Sequence, residues 1–216
     1  KKIYKKCVFI LFTNKNKKMV SLFLKAIYGN DINEVKRLVK PKLLIKINNN
    51  NGLLPLSEAI NNKCNIKLIK LLLPPMDFIN KITNNSNKPL FLAVENNNIE
   101  LVKLLSNSIL LTGLNEYYET PLMVAIRKGA GINMIKLLLH PKIIHNKNNI
   151  GESTFFYCAK YNNHHHLRYF NLFKKEDSLS EVNKNGNTPL ISYLSYNFNS
   201  IEYCVVKYLA TPETLP

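Results

Sequence analysis

The chain of 216 residues contains no tryptophan, only seven glycines and only three arginines. It has no glycine-rich loop of the kind that cradles a phosphate and no nucleophile-elbow motif around a serine, so no pattern for an enzyme is present. Arginine is the side chain best suited to bidentate contacts with phosphates and bases. Its scarcity therefore argues against nucleic-acid recognition.

No apolar run approaches the roughly 18 residues that a membrane-spanning helix needs. The apolar stretch near the N-terminus is about six residues long and is followed by lysines, so we expect no secretory signal peptide. The sequence carries no address signal, and a cytoplasmic location is the default expectation. No Cys-x-x-Cys pair occurs among Cys7, Cys64, Cys158 and Cys204. This spacing predicts free, buried thiols in a reducing compartment.

The formal net charge is +16, and it is unevenly distributed. Residues 1–18 carry seven lysines and no acid, which leaves a net charge of +9 on the remainder. Asparagine (32), lysine (27) and isoleucine (21) all have AT-rich codons, so genome composition explains much of the excess. Solvated lysines are therefore the preferred interpretation, and contact with phosphates is the alternative.

The dipeptide Pro-Leu recurs along the chain at a nearly constant interval. Its anchor positions are Ser21, Pro55, Pro89, Pro121, Thr154 and Pro189, where Ser21 and Thr154 replace the proline. A second anchor keeps step with the first at Lys36, Lys70, Lys103, Lys136, Asn171 and Lys207. A period near 33 residues predicts stacked helix-turn-helix repeats.

Each repeat makes physical sense as two short helices. Proline fits the first turn of a helix, and Thr120, Ser153 or Thr188 just before the anchor can cap the exposed N–H groups. A second helix such as 99–105 follows with an apolar stripe. Neither helix is long enough to be stable alone, so stacking must supply the missing burial.

The order of turn, helix, turn, helix and extended finger resembles the ankyrin repeat, most closely at Lys88–Ala93 followed by Ile99–Leu105. The resemblance implies an all-α ankyrin-repeat solenoid of about six units with short β-hairpin-like fingers. We expect a loose, disordered basic extension at 1–18 and a repeat domain at 19–212. The expected repeats are 19–50, 51–84, 85–117, 118–149, 150–184 and 185–212.

The fifth repeat departs furthest from the family pattern. It replaces the anchor proline with Thr154, has Cys158 at the small-residue position and carries three consecutive histidines. We predict that it is the least stable interior repeat, and hydrogen exchange that showed residues 150–180 as the best-protected segment would contradict this. The first and sixth repeats are expected to act as caps.

The cluster His164–His166, with His140 and His145 one repeat earlier, is the only candidate for a metal site. Adjacent residues cannot all face one ion, and no other ligand lies at suitable spacing, so we expect no metal and no cofactor. Glu58 and Glu95 lie one repeat apart and are interpreted as solvated surface carboxylates. We therefore predict no catalytic residues and no enzymatic activity.

Protein binding through the fingers and first helices is the function that the resemblance implies. Tyrosine is enriched at recognition surfaces, so the candidate contacts are Tyr117 and Tyr118, with Asn85, Asn148 and Lys184 at other finger tips. The alternative for the tyrosines is packing against a neighbouring finger. We expect an unknown protein partner, a monomer, and neither nucleic acid nor membrane as a ligand.

Electrostatic binding of nucleic acid or an acidic partner remains the alternative function. It predicts affinity that falls by orders of magnitude between about 50 and 200 mM salt. A tyrosine hot spot instead predicts weak salt dependence and a loss of roughly 2 kcal/mol or more on Tyr→Ala. The absence of an initial methionine and the end at Pro216 are also compatible with a fragment of a longer repeat protein.

Overall fold

The computed structural model describes residues 14–39, 55–73, 89–106, 108–161, 166–170, 172, 179–197, 199 and 201–210. These residues are helical or form turns, and none of them lies in a β-strand. The chain divides into two compact units, residues 1–92 and 93–216. Each is described by itself below.

The N-terminal unit contains two described helix pairs. Its helices are α1 (Asn14–Tyr28), α2 (Ile32–Leu38), α3 (Pro55–Asn61) and α4 (Ile66–Leu72). The first helices α1 and α3 pack together, as do the second helices α2 and α4. Seven-residue helices are marginal alone, so burial of Phe23, Ile27 and Leu68 between the pairs stabilises them. Helix α1 begins at Asn14 and includes the last residues of the predicted extension.

The C-terminal unit repeats this arrangement. Its helices are α5 (Pro89–Glu95, which spans the boundary), α6 (Ile99–Leu105), α7 (Ser108–Leu111), α8 (Pro121–Arg127), α9 (Ile132–Leu138), α10 (Thr154–Lys160), α11 (His166–Phe170), α12 (Pro189–Tyr196) and α13 (Tyr203–Leu209), with a 3-10 turn at Pro141–Ile143. Helix α10 packs between α8 and α12, while α11 packs on α9 and α13. First helices therefore form one layer and second helices another.

The helix starts confirm the anchor analysis. Helices α3, α5, α8 and α12 each begin at the proline of Pro-Leu. Thr120 accepts a hydrogen bond from the Met123 N–H at 3.2 Å, and Thr188 accepts one from Ile191 at 3.3 Å. Ser153 does not cap its helix, because its buried Oγ has no hydrogen-bond partner among the described residues. Two of the three predicted caps are thus confirmed.

A left-handed residue separates the two helices in four of the repeats. These residues are Asn30 (φ 52°), Lys63 (φ 51°), Asn97 (φ 51°) and Gly129 (φ 69°). In each turn the next residue donates its N–H to a carbonyl five residues back, as Ala130 does to Ala125 at 3.0 Å. This is the Schellman ending of a helix, and it fixes the angle at which the chain enters the second helix.

Two outward-facing residues of helix α12 differ in exposure from their equivalents on helix α8. Ile191 and Leu194, the third and sixth residues of α12, are each 38% exposed. The corresponding residues of α8, Met123 and Ile126, are fully buried at 0%. Helix α12 therefore presents two apolar side chains to solvent.

Candidate functional site: the fingers of the C-terminal unit

Three five-residue turns in the C-terminal unit share one construction, and we call them finger 1 (115–119), finger 2 (148–152) and finger 3 (183–187). Each begins with asparagine, whose Oδ1 accepts hydrogen bonds from the backbone N–H groups at the third and fifth positions. The distances from Oδ1 to the third- and fifth-position nitrogens, in that order, are 2.9 and 2.9 Å for Asn115, 3.0 and 2.9 Å for Asn148, and 2.9 and 3.1 Å for Asn183. Asparagine is thus a structural requirement of the finger rather than filler.

Backbone hydrogen bonds close the same turns. In every finger the N–H of the first residue donates to the carbonyl of the fifth at 3.0 Å. The N–H of the fourth residue donates to the carbonyl of the first, at 3.1 Å in finger 1 and 3.0 Å in fingers 2 and 3. The predicted hairpin-like finger is therefore a closed turn without strands in the described part of the chain.

Adjacent fingers are joined directly through their backbones. The Asn149 N–H of finger 2 donates to the Tyr117 carbonyl of finger 1 at 3.1 Å. The Lys184 N–H of finger 3 donates to the Ile150 carbonyl of finger 2 at 3.0 Å. Because both bonds link the same finger positions, the three tips form a regular row.

The fourth position of each finger adopts a left-handed backbone conformation. Its φ angle is 81° at Gly151 and 77° at Gly186, where glycine adopts such angles without steric cost. In finger 1 the same position is Tyr118, with φ 61°. A large side chain at positive φ is uncommon and carries a strain that glycine avoids.

Three apolar side chains are exposed on fingers 1 and 2, and we call them the finger ledge. They are Tyr117 (55% exposed), Tyr118 (58%) and Ile150 (43%). Tyr117 and Ile150 occupy the third position of neighbouring fingers, next to the hydrogen bond that joins them. The ledge therefore offers three exposed apolar side chains on adjacent tips, on a backbone that the asparagines hold in place.

A buried carboxylate anchors finger 1 from behind. Glu119 is 5% exposed and receives two 3.0 Å hydrogen bonds from the Arg127 guanidinium. The Tyr157 hydroxyl donates to it at 2.7 Å, and the Asn115 amide donates to it at 2.7 Å. Burial raises the pKa of Glu119, but these hydrogen bonds and the Arg127 charge outweigh burial and lower the pKa overall.

Finger 2 has a corresponding buried ion pair. The Lys160 Nζ lies 2.7 Å from Glu152 Oε1, and both side chains are less than a tenth exposed. The ammonium also lies 4.4 Å from the centre of the Tyr196 ring, within cation–π range. Burial lowers the pKa of Lys160, while the bond to Glu152 raises it, and the net shift is upward.

The interpretation of lysines as solvated missed this pair. A signal was present in the sequence, because an acid and a base are separated by eight residues in two successive repeats. The pairs are Glu119 with Arg127 and Glu152 with Lys160. Eight residues is the path from the end of a finger to the last turn of the first helix that follows it.

The predicted site residues fall into different places. Tyr117 and Tyr118 are both exposed on the finger ledge, and Ile150, which the sequence analysis did not select, joins them. The Asn148 side chain holds finger 2, and its Nδ2 donates to the Tyr157 hydroxyl at 3.0 Å. Lys184 is exposed on finger 3. Asn85 lies outside the described residues.

One carboxylate differs from its predicted environment. Glu58 is 7% exposed and accepts a 3.0 Å hydrogen bond from the Tyr28 hydroxyl of the preceding repeat. The interpretation of Glu58 as a solvated carboxylate was therefore wrong, because its partner comes from a residue 30 positions away. Glu95 is exposed, as predicted.

The cysteines are free where they are described, but they are not all buried. Cys64 and Cys158 are buried, and burial raises the pKa of both thiols. Cys204 is exposed, so the prediction of buried thiols was wrong for that residue. Cys7 lies outside the described residues.

The described residues contain neither a cluster of metal ligands nor a membrane-spanning helix. Among the described residues no group of three His, Cys, Asp or Glu side chains could hold a metal ion, while His164 and His165 lie outside them. His140 accepts a hydrogen bond from the Lys142 N–H at 3.3 Å, and His145 lies 3.7 Å from Glu181. No helix of the described part combines the length and apolarity needed to cross a bilayer.

The repeated helix pairs and finger turns define the class: a helical repeat protein. Comparison with known proteins identifies the repeat. Residues 59–150 match the family model for ankyrin repeats in three copies. The chain thus carries ankyrin repeats, as its sequence indicated, and its fold is an ankyrin-repeat solenoid. Repeats of this family are generally protein-interaction modules, typically without enzymatic activity.

Two solved structures share the fold. One is a chain of the complex between the predatory endopeptidase Bd0816 from Bdellovibrio bacteriovorus and the immunity protein Bd3460. It is 20% identical with a TM-score of 0.64, over 87% of this chain and 96% of that one. The other is EF0377, an ankyrin repeat protein, at 20% identity and a TM-score of 0.63, over 88% and 96% of the two chains. No curated protein sequence matches this chain.

Proposed function

We propose that this chain is a non-enzymatic protein-binding module whose finger ledge and adjoining first-helix surface contact a protein partner. The observation that carries the proposal is the ledge itself. Tyr117, Tyr118 and Ile150 are more than two fifths exposed on adjacent tips that are hydrogen-bonded to each other. Tyrosine is among the residues that most often dominate protein interfaces.

The construction of the fingers favours binding because it leaves little backbone to order. Each tip is closed by its own backbone and by an asparagine side chain, and neighbouring tips are linked at 3.0 to 3.1 Å. Binding to an ordered surface avoids part of the entropy cost that a flexible loop would pay. Most of the free energy gained by burying the two exposed rings against a partner can then contribute to affinity.

The electrostatic alternative is less well supported at this surface. Two of the basic side chains behind the fingers, Arg127 and Lys160, are already paired with Glu119 and Glu152. A base already paired with a buried carboxylate of its own chain is poorly placed to neutralise a phosphate. We therefore propose a protein rather than a nucleic acid as the partner, with the chain acting as a monomer in the cytoplasm.

Affinity capture from a lysate of the source cells tests this function with a matched set of baits. The baits are the full chain, the ledge variant Tyr117→Ala/Ile150→Ala, and Tyr203→Ala, whose ring is 78% exposed on α13. We expect the full chain and Tyr203→Ala to retain a discrete protein at about 300 mM salt after nuclease treatment, and the ledge variant to lose it.

Equal retention by all three baits would place the binding surface elsewhere. Recovery that disappears with salt or with nuclease would instead identify the positive charge as the functional feature. Either result would overturn the proposal.

A further inference from the structure

Finger 1 differs from fingers 2 and 3 at one conformationally demanding position. All three fingers make the same closing hydrogen bonds, and these bonds place the fourth residue in the left-handed region. Fingers 2 and 3 have glycine there, at Gly151 and Gly186. Finger 1 has Tyr118 at φ 61°, although glycine would build the same turn with less strain.

Among the described residues, no interaction accounts for the tyrosine. Its side chain is 58% exposed, so most of its ring lies in solvent. The hydrogen bonds of the fourth position use the backbone alone, as the Tyr118 N–H does with the Asn115 carbonyl at 3.1 Å. The neighbouring fingers make the equivalent bonds with glycine. The ring therefore adds strain without building the finger.

We propose that Tyr118 is a specificity-determining residue of the finger ledge, and that its ring enters an apolar pocket of a partner protein that presents acidic side chains on the Lys184 side of the ledge. This inference rests on the proposed function and adds the chemistry of the partner. Strained residues persist where a function compensates for their cost. An exposed tyrosine on a rigid turn can fill a pocket with little loss of side-chain entropy.

The acidic side chains of the partner follow from the charges around the ledge. Glu119 and Glu152, the two acids that end fingers 1 and 2, are buried and paired with bases of the chain. Lys184 is exposed, and its N–H is bonded to the carbonyl of the ledge residue Ile150. Across the three described fingers the only exposed acid is Glu116, which lies next to Tyr117 on finger 1, so the basic side of the ledge is at finger 3. A complementary partner therefore presents acids opposite the Lys184 side of the ledge.

The test compares Tyr118→Gly, Tyr118→Ala and Tyr118→Phe in the full chain, with the protein captured above as the probe. We expect Tyr118→Gly and Tyr118→Ala to weaken binding at least tenfold and Tyr118→Phe to retain most of the affinity. Urea denaturation without the partner should show a higher midpoint for Tyr118→Gly, while Tyr118→Ala, which keeps the positive φ strain, should not rise.

A charge-reversal pair tests for the partner's acidic side chains with the same probe. Lys184→Glu should weaken binding several-fold, whereas Lys136→Glu, an exposed lysine on helix α9, makes the same change in net charge and should leave affinity within twofold. Equal losses of affinity from both substitutions would show that only the overall charge matters. The inference that the partner presents acids opposite Lys184 would then be wrong.

The inference about Tyr118 can fail while the proposed function stands. If Tyr118→Gly binds within twofold of wild type while Tyr117→Ala/Ile150→Ala loses binding, the inference about Tyr118 is wrong and the proposed function stands. A lower denaturation midpoint for Tyr118→Gly would show that the ring has a structural role and would also overturn the inference. Failure of every ledge variant to alter binding would instead reject the proposed function.

Discussion

Substitutions at the fourth position of the three fingers test the physical account of this surface without any partner. Gly186→Ala, Gly151→Ala and Tyr118→Gly place or remove a Cβ at equivalent positive φ angles of 77°, 81° and 61°. The fingers share their closing hydrogen bonds, so differences among the three variants report local sterics. The expected order of stability changes follows from the surroundings of each Cβ.

A Cβ on Gly186 would meet nothing within 4 Å, so Gly186→Ala isolates the conformational cost of the left-handed backbone. That cost is about 1 kcal/mol. A Cβ on Gly151 would lie 3.1 Å from the Lys184 backbone nitrogen, which is hydrogen-bonded to finger 2. Gly151→Ala should therefore cost about 2 to 3 kcal/mol, because it adds crowding to the conformational cost.

Tyr118→Gly should act in the opposite direction. It relieves about 1 to 2 kcal/mol of left-handed strain, and the added freedom of glycine in the unfolded chain offsets about 0.5 to 1 kcal/mol of that gain. A net stabilisation of up to about 1.5 kcal/mol is expected.

Urea denaturation followed by circular dichroism measures all three changes as shifts of the midpoint at constant slope. The reasoning would be refuted if Gly186→Ala proved neutral or if Tyr118→Gly destabilised the chain. A cost for Gly151→Ala below that for Gly186→Ala would contradict the proposed contact between fingers 2 and 3.

Three further predictions follow from buried and exposed groups. Because the folded-state pKa of Glu119 is lowered, its charge stabilises the fold above the unfolded-state pKa, and this stability is lost as pH falls through the folded pKa. Glu119→Gln should therefore cost about 2 kcal/mol at neutral pH, with the gap to wild type narrowing below about pH 4 in pH-dependent urea titrations. Ile191→Lys should cost under about 1 kcal/mol, whereas Met123→Lys at the buried equivalent position should exceed about 4 kcal/mol or unfold the repeat in thermal melts. A thiol reagent should modify exposed Cys204 in the native chain, while Cys158 should react only after unfolding, as peptide mass spectrometry would show.

The fold could be predicted because its determinants are local and repeated. The proline of Pro-Leu fixes a helix start by its own geometry, and helices α3, α8 and α12 begin where the sequence places them. Thr120 is a cap because a hydroxyl lies next to that start. Ser153 has the same spacing but no cap bond, which depends on a rotamer that spacing does not determine.

The site was only partly predictable because it depends on contacts between repeats. Tyr117 and Tyr118 could be selected from their residue type and their position in a turn. The strain at Tyr118 becomes visible only when finger 1 is aligned with Gly151 and Gly186 on their initial asparagines. The buried environment of Glu58 arises from Tyr28 in the preceding repeat, a pairing that no local pattern contains.

The central claim, that an apolar ledge rather than net charge binds the partner, is tested most directly by titrating the captured protein calorimetrically at about 50 and 200 mM salt with wild type and Tyr117→Ala. The account predicts a change in Kd of less than about tenfold with salt and a loss of roughly 2 kcal/mol or more on Tyr117→Ala at both concentrations. An affinity that falls by about a thousandfold with salt and is unaffected by Tyr117→Ala would contradict it.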